Sequence, residues 1–437
     1  MQEKIIIFCL LLVLLFQYSL SNLIGVIQLN RHGARTGRHF SNFTSKLFYG
    51  SGEEQLTING FRQVEKLGQW IAERYIYYDY NLLSPFYDPE EILVKTSSKV
   101  RTIFSAAGFM KGMYPFSEIS SNFLSHCKLD ENCKYLKEDD VPPIANYSSK
   151  RNLPKIKLSV ANANEDLIFH TDQCRLFINS TFTDNLKHNL VRKEIYNITN
   201  EEIKSAIDDT KSKWQEPFIG LSDETVYTKI YLKYLYSFIA HTEYHYDNKF
   251  FNLAPSTTLL MKKIQIEEWY SIRLVENWAL KLINSPIYDN LLIHLDAYVK
   301  RQERENHKLK YLLLSGHDTS IVNIISTLFR KEKLMEMIAD YEKYYDVLQP
   351  PYASSFIIEV HSKSNSDFNS NKSKLNLNNQ KHSFYVRIIY NGNILERDTL
   401  HEDLTYDQEL KGIDYENFRK FLIKKIDKNY KYLDCNQ

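Results

Sequence analysis

Ile24-Gly25-Val26-Ile27-Gln28-Leu29 runs through Asn30 directly into Arg31-His32-Gly33-Ala34-Arg35. The apolar half reads as a buried strand, because it is short, rich in Ile and Val, and ends abruptly in polar residues. The polar half therefore sits at the strand's carboxyl end, the edge at which α/β sheets bind ligands. The same junction recurs late in the chain, where Tyr311-Leu312-Leu313-Leu314 ends in Ser315-Gly316-His317-Asp318-Thr319-Ser320. After the first junction, Leu56-Thr57 leads into an amphipathic helix with Phe61, Val64, Leu67, Gly68 and Ile71 on one side and Arg62, Glu65 and Lys66 on the other. Ile92-Leu93-Val94 is a further strand, and Val100, Phe104 and Ala107 share one face of the helix that follows it. The order β-α-β-α predicts an α/β core.

At 437 residues the chain suits one large domain with a substantial insertion, or two domains. From Tyr114 to Asn252 the alternation gives way to cysteine-containing loops, sequons and helices. These include a capping box at Thr199 to Glu202 and a Tyr-rich helix through Val226, Ile230, Leu235 and Phe238. Residues 114–252 are read as an inserted, mainly helical cap, and residues 22–113 with 253–437 as the α/β core. Two helices, over residues 257–284 and 286–303, precede the late strand. Phe356 to Val360 and Phe384 to Tyr390 predict a hairpin. The Ser/Asn/Lys-rich stretch 361–382 between them is too polar to pack and is expected to loop out flexibly.

A formal net charge of +1 supplies no global field that would collect nucleic acid or an anionic membrane, so any anion preference must come from local clustering. At the N-terminus, Lys4 precedes an apolar run from Ile5 to Phe16, followed by Ser19-Leu20-Ser21. This is the pattern of a secretory signal, predicted here over residues 1–21 with a mature start at Asn22. The run falls short of the roughly 20 apolar residues that span a bilayer, which argues against a stable membrane anchor. The expected location is the extracellular space or a lysosomal lumen.

Cys9 leaves with such a signal, and Cys127, Cys133, Cys174 and Cys435 remain, an even number in an oxidising compartment, so disulfides are expected. Cys127 and Cys133 lie close together in a polar stretch and are expected to close a small loop, leaving Cys174 for Cys435. His126 beside Cys127 invites a zinc reading, but the spacing matches no common zinc module. Sequons at Asn42, Asn146, Asn179, Asn197 and Asn371 are glycosylation candidates on the same secretory premise.

Hydrolysing a phosphate monoester requires neutralising a dianion, supplying an in-line nucleophile and protonating a poor leaving alkoxide. The two strand-end clusters hold residues for all three tasks. Arg31 and Arg35 present planar donor forks suited to phosphate oxygens. His32 lies between them, and cationic neighbours disfavour imidazolium, so its ring is expected to stay neutral and nucleophilic in mild acid. Gly33 is expected to let the backbone turn tightly and approach a ligand.

With these residues the chain resembles the histidine phosphatase superfamily, and specifically its acid phosphatase and phytase branch. That family's signature is R-H-G-x-R-x-P near the mature N-terminus and a late H-D pair, here RHGART and SGHDTS. LTINGFRQ at Leu56 to Gln63 resembles its L-T-x-x-G-x-R-Q segment, and KTSSKVRTIFSA at Lys95 to Ala106 its R-S-T-x-x-x-R-T-x-x-S-A segment. PPYASS near Pro350 resembles its segment before the closing hairpin. The likeness covers both ends of the chain and leaves the cap unmatched.

The resemblance implies a three-layer sandwich, with a mixed central sheet flanked by helices and an inserted α-helical cap. It implies that Arg31, Arg35 and Arg101 bind the phosphate, that His32 becomes phosphorylated, that His317 contacts the same phosphate and that Asp318 donates the proton. It implies no metal or organic cofactor. Three departures stand out: Gly37 replaces the usual Pro, which predicts a less rigid loop; Lys95 replaces an Arg; and Ser355 stands where some relatives have a half-cystine.

The resulting expectation is an acid phosphatase working on small phosphate monoesters through a phosphohistidine, with an acidic optimum. The nearest alternative is a phytase or inositol-polyphosphate phosphatase of the same superfamily. Phytases of this type often read H-D-T-N, and Ser320 in the last position favours the general phosphatase. A mutase-like phosphotransferase is disfavoured by the signal and the H-D pair. A secreted glycoprotein that keeps the fold only for binding would be marked by loss of a motif residue, and none is lost. Arg62 is read as structural, and Asp318 is also suited to capping the helix that begins near Ser320. His241-Thr242-Glu243-Tyr244-His245 is one position away from a zinc protease motif, which needs Glu directly after the first His, and is read as a helix end. A homodimer is left open.

Overall fold

The structure is a computed structural model that describes residues 22–38, 40, 52–115, 118–119, 155–161, 168–169, 196–245, 251–274, 278–303, 308–363, 383–428 and 430. Among these, nine strands form one mixed sheet. They are β1 (Asn22–Arg31), β2 (Ile92–Thr96), β3 (Ser159–Val160), β4 (Tyr311–Gly316), β5 (Ser355–Ser362), β6 (Phe384–Tyr390), β7 (Asn393–Ile394), β8 (Tyr406–Asp407) and β9 (Gly412–Asp414). Their order is β8-β9-β6-β5-β1-β4-β2-β3, with β7 paired to β6.

Strand β4 lies between β1 and β2 and runs parallel to both, with Arg31 opposite Gly316 and Thr96 opposite Ser315. The carboxyl ends of the three strands therefore share one edge. All six residues of β4 are buried, as a central parallel strand covered on both faces must be. On its other side β1 pairs antiparallel with β5, and β5 with β6, so the hairpin expected from the sequence is present. Strand β5 continues beyond Val360 because His361 is buried, its Nε2 3.0 Å from Glu359 Oε2.

The helices of eight residues or more are α1 (Ile58–Ala72), α2 (Val100–Met113), α3 (Asn200–Lys213), α4 (Lys229–His245), α5 (Pro255–Arg273), α6 (Trp278–Glu303), α7 (Asp318–Leu328), α8 (Lys331–Ala339), α9 (Tyr341–Leu348) and α10 (Tyr415–Lys425). Strand alternation sorts β1 between two cores. Val26 packs with Val64 and Ile71 of α1 and with Phe109 and Met110 of α2. Ile27 and Leu29 pack on the other face with Tyr288, Leu291 and Tyr298 of α6 and Ile321 and Ile325 of α7. Each fully buried aliphatic side chain contributes about 1.5–3 kcal/mol, so both layers hold the sheet in place. The molecule is thus an α/β sandwich with helices on both faces and an additional helical region.

That helical region has its own core, in which Ile207 of α3, Leu235 and Phe238 of α4 and Ile264 of α5 surround Trp214 and Phe251. The capping box is formed: Glu202 N donates to Thr199 Oγ1 at 3.2 Å, and Thr199 N donates to Glu202 Oε2 at 2.8 Å. Helix α6 passes through Pro286, where the sequence pattern predicts a break. A proline inside a helix costs about 3 kcal/mol, and burial of Ile287, Tyr288, Leu291, Leu295 and Tyr298 on the core side offsets it.

The disulfide expectation is corrected. A disulfide needs sulfurs about 2 Å apart, and the described residues, which contain no cysteine, hold no pair at bonding distance. Cys127, Cys133, Cys174 and Cys435 themselves lie outside the described residues, as do the N-terminal run 1–21 and Asn42, Asn146, Asn179 and Asn371. Asn197 is described and exposed. No helix among the described residues is long and apolar enough to cross a membrane.

Candidate active site

The edge shared by β1, β2 and β4 carries the site. Backbone bonds fix the loop after β1: Arg31 N donates to Ser354 O at 3.0 Å, His32 N to Gly316 O at 3.1 Å, and Ala353 N to His32 O at 3.1 Å. The first turn of α1 braces it from the opposite side. Ala34 O accepts from Thr57 N at 2.9 Å and from Thr57 Oγ1 at 3.1 Å, and Ala34 N donates to Gln63 Oε1 at 2.8 Å. Thr57 also caps α1, accepting from Gly60 N at 3.1 Å. Arg62 is exposed on the same helix.

Gly33 is also required by packing. A Cβ there would lie 2.1 Å from Gly60 O, and one on Gly60 would lie 2.0 Å from Ala34 O. The two glycines let loop and helix backbones touch. Gly37, expected to loosen the loop, is packed instead: a Cβ would stand 2.5 Å from the Phe238 ring of α4.

All six residues singled out in the sequence are brought to this edge. Arg31, His32, Arg35 and His317 are buried, and Arg101 and Asp318 are half-buried. Arg31 Nη2 lies 2.9 Å from Asp318 Oδ2, and its Nη1 donates to Pro350 O at 2.5 Å. Arg35 Nη1 donates to Thr36 O at 2.8 Å. Arg101 stands in the first turn of α2, directly after β2, and Asp318 opens α7 with its Oδ1 accepting from Thr319 N at 2.8 Å. The His32 and His317 rings are 5.7 Å apart, edge to face.

His32 Nδ1 lies 2.8 Å from Gly33 O, and because a carbonyl only accepts, Nδ1 carries the proton. Nε2 then keeps its lone pair. Burial, followed by the charges of Arg101, Arg31, His317 and Arg35, holds this imidazole well below its ordinary pKa. The ring is therefore neutral in acid and able to act as a nucleophile. Arg101, drawn down to about 10 by burial and then by Arg35, remains charged at any working pH.

Several participants carried weaker sequence signals. Ser97 Oγ lies 3.1 Å from His317 Nε2 and 2.7 Å from Thr102 Oγ1, orienting the second histidine. Ser105 accepts from Gly33 N at 3.0 Å. Both serines belong to KTSSKVRTIFSA, so that segment holds more of the site than its arginine. Tyr352, from PPYASS, lies under Arg31, whose Cζ is 4.4 Å from the ring centre, and stands 6.0 Å from the His32 ring. On its far side His241 of α4 stands 5.6 Å away, bringing the helical region to the pocket. Glu54 reaches Arg101 and Arg38 at 3.5 Å and 3.7 Å. Neither Glu54 nor His241 has a local sequence signal pointing to the site.

The chain is similar to known proteins in sequence and in fold. The family described as "Histidine phosphatase superfamily (branch 2)" matches residues 15–391. A Caenorhabditis elegans protein named "Putative acid phosphatase 10" is 35% identical over 69 residues, a match that spans 16% of this chain and 16% of that relative's length. Among solved structures, the phytase from Citrobacter braakii superposes with a TM-score of 0.57 at 11% identity, covering 95% of this chain and 99% of that one. The Bifidobacterium longum multiple inositol polyphosphate phosphatase, in complex with inositol hexasulfate, superposes with a TM-score of 0.57 at 12% identity, covering 92% of each chain. At these identities the superpositions establish the shared fold.

Proposed function

The chain belongs to the histidine phosphatase superfamily (branch 2), hydrolases of phosphate esters, and on that premise we propose that it is a phytase-like phosphatase of inositol polyphosphates. The observation that carries the chemistry is the convergence of His32, Arg101 and the His317-Asp318 pair from three different strand ends.

In this reading Arg31, Arg35, Arg101 and His317 hold the phosphate oxygens while His32 Nε2 attacks phosphorus in line. The bond from phosphorus to the leaving oxygen breaks as Asp318 gives that oxygen a proton. Water then attacks the phosphohistidine, losing a proton to Asp318 and restoring both groups. Positive charge beyond these residues supports a polyphosphorylated substrate. Arg38 and Lys99 both act on Glu54, beside Arg35 and Arg101, so the cationic rim exceeds what a single phosphate requires. The neighbouring solved structures, named as phytases and an inositol polyphosphate phosphatase over nearly the full chain length, support the same reading.

A second reading, an acid phosphatase of simple monoesters, is favoured by Ser320 and by the short match to the putative acid phosphatase. Comparing kcat/KM for inositol hexakisphosphate and p-nitrophenyl phosphate at acid pH separates the two. The phytase reading requires the higher value on the inositol ester; preference for the simple ester favours the second.

A further inference from the structure

Glu54 is the acidic residue that the mechanism does not use and that nevertheless sits on the phosphate-binding arginines. Its Oε2 is 3.5 Å from Arg101 Nη1 and its Oε1 is 3.7 Å from Arg38 Nε. Its backbone has φ 58, the left-handed region that a residue with a Cβ adopts only at a cost. The loop holds it there through four bonds to the motif loop. Glu54 N donates to Gly37 O at 3.2 Å, Thr36 N to Gln55 O at 2.9 Å, Gln55 N to Thr36 Oγ1 at 2.9 Å and Thr36 Oγ1 to Gly52 O at 2.7 Å. With the backbone pinned, only the side chain can withdraw.

We propose that Glu54 is an acid-operated gate on phosphate binding, whose carboxylate occupies Arg101 and Arg38 in the empty site and must be protonated or displaced before a substrate phosphate takes Arg101. This rests on the reading of the site as a phosphate site. The charged groups facing Glu54 are Arg35 and Arg38 from the motif loop and Lys99 and Arg101 from the start of α2. Asp318, His32 and His317 complete the cluster through those arginines. Burial opposes the Glu54 charge, but Arg101, Arg35, Arg38 and Lys99 outweigh it and hold the carboxyl below its ordinary range. A phosphate dianion reverses that balance. Two anions sharing one set of arginines cannot both keep full charge, so binding is coupled to a proton taken up by Glu54 or to its departure. The gate therefore adds an acid preference at the binding step, separate from proton donation by Asp318.

The test is calorimetric titration of inorganic phosphate into the full chain, comparing wild type with Glu54→Gln and Glu54→Gly from pH about 7 down to about 3, below the ordinary glutamate range. The Gly variant also relaxes the left-handed backbone, so it guards against a loss of folding. At the neutral end both variants should bind phosphate about tenfold tighter than wild type, with the advantage shrinking towards none in acid. Taking the ratio at each pH removes the titration of phosphate itself. Kinetically, the change should appear in KM. Equal or weaker binding by both variants at every pH, or a ratio that does not vary with pH, overturns the gate while leaving the phosphate site intact. Failure of wild type to bind phosphate at all overturns the functional reading and the gate together.

Discussion

Arg31 Nη2 stands 2.9 Å from Asp318 Oδ2, so the arginine and the carboxyl to which the proposed function gives phosphate binding and proton donation are bonded to each other. On that reading an incoming phosphate competes with Asp318 for the same guanidinium, and its arrival would free the carboxyl to face the leaving oxygen. Charging of the site and aiming of the acid thus become one event.

From this pair, Asp318→Ala should reduce turnover of alkyl phosphates about 100-fold more than turnover of p-nitrophenyl phosphate, whose leaving group needs little protonation. Steady-state kcat on both esters measures it. Equal losses would remove Asp318 from the proton-donor role.

His32→Ala should abolish turnover and the acid-labile phosphoenzyme trapped by quenching with labelled substrate. Because burial and then four neighbours hold His32 well below its ordinary pKa, wild-type kcat/KM should not decline as pH falls through about 6.5. Arg101→Met removes the foremost of those charges and must raise the His32 pKa, so an acid limb should appear at higher pH than in wild type. An acid limb centred near about 6.5 in the wild-type profile would contradict the neutral-nucleophile assignment.

Gly37→Ala places a Cβ 2.5 Å from Phe238 Cδ2 and should destabilise the protein by about 1–3 kcal/mol. Adding Phe238→Leu should return part of that loss. Urea denaturation of the two variants tests whether the glycine serves packing; an unchanged midpoint for Gly37→Ala would refute it.

Stability should fall on acidification. Burial, with a smaller contribution from Lys95, draws His294 down to about 4. In the unfolded chain it takes a proton near about 6.5. Between those values the unfolded state binds more protons, so the stabilisation present above about 6.5 is lost as pH falls towards about 4. His32 and His361 shift in the same direction. His294→Gln should flatten the fall in Tm across that window, as followed by scanning calorimetry; an unchanged slope would count against it.

The core of the site was legible because each cluster is local: RHGAR and SGHDTS are contiguous, and each is preceded by an apolar run that can only be a strand end. The residues that were less legible act across the fold. Glu54 reaches Arg101, and His241 reaches Tyr352, through tertiary contacts that leave no periodicity in either segment. Gly33 and Gly37 were legible as special positions, but their partners, Gly60 and Phe238, were not, because a glycine advertises a close approach without saying to what. Pro286 misled for the opposite reason: a strong local breaker was overruled by the buried face of α6.

Strand β4 lies between β1 and β2 in space yet follows β2 by more than two hundred residues of chain and β1 by more still. During synthesis at about 5–20 residues per second, the first two strands therefore wait roughly ten seconds or more for the strand that joins them. Until then each presents unpaired edges, which are the hazard that chaperones exist to cover. His32 and Arg31 are made well before Gly316 and Asp318, to which they bond. A ribosome-bound chain carrying the whole RHGAR motif is consequently inert, and activity begins only when the sheet closes around its central strand.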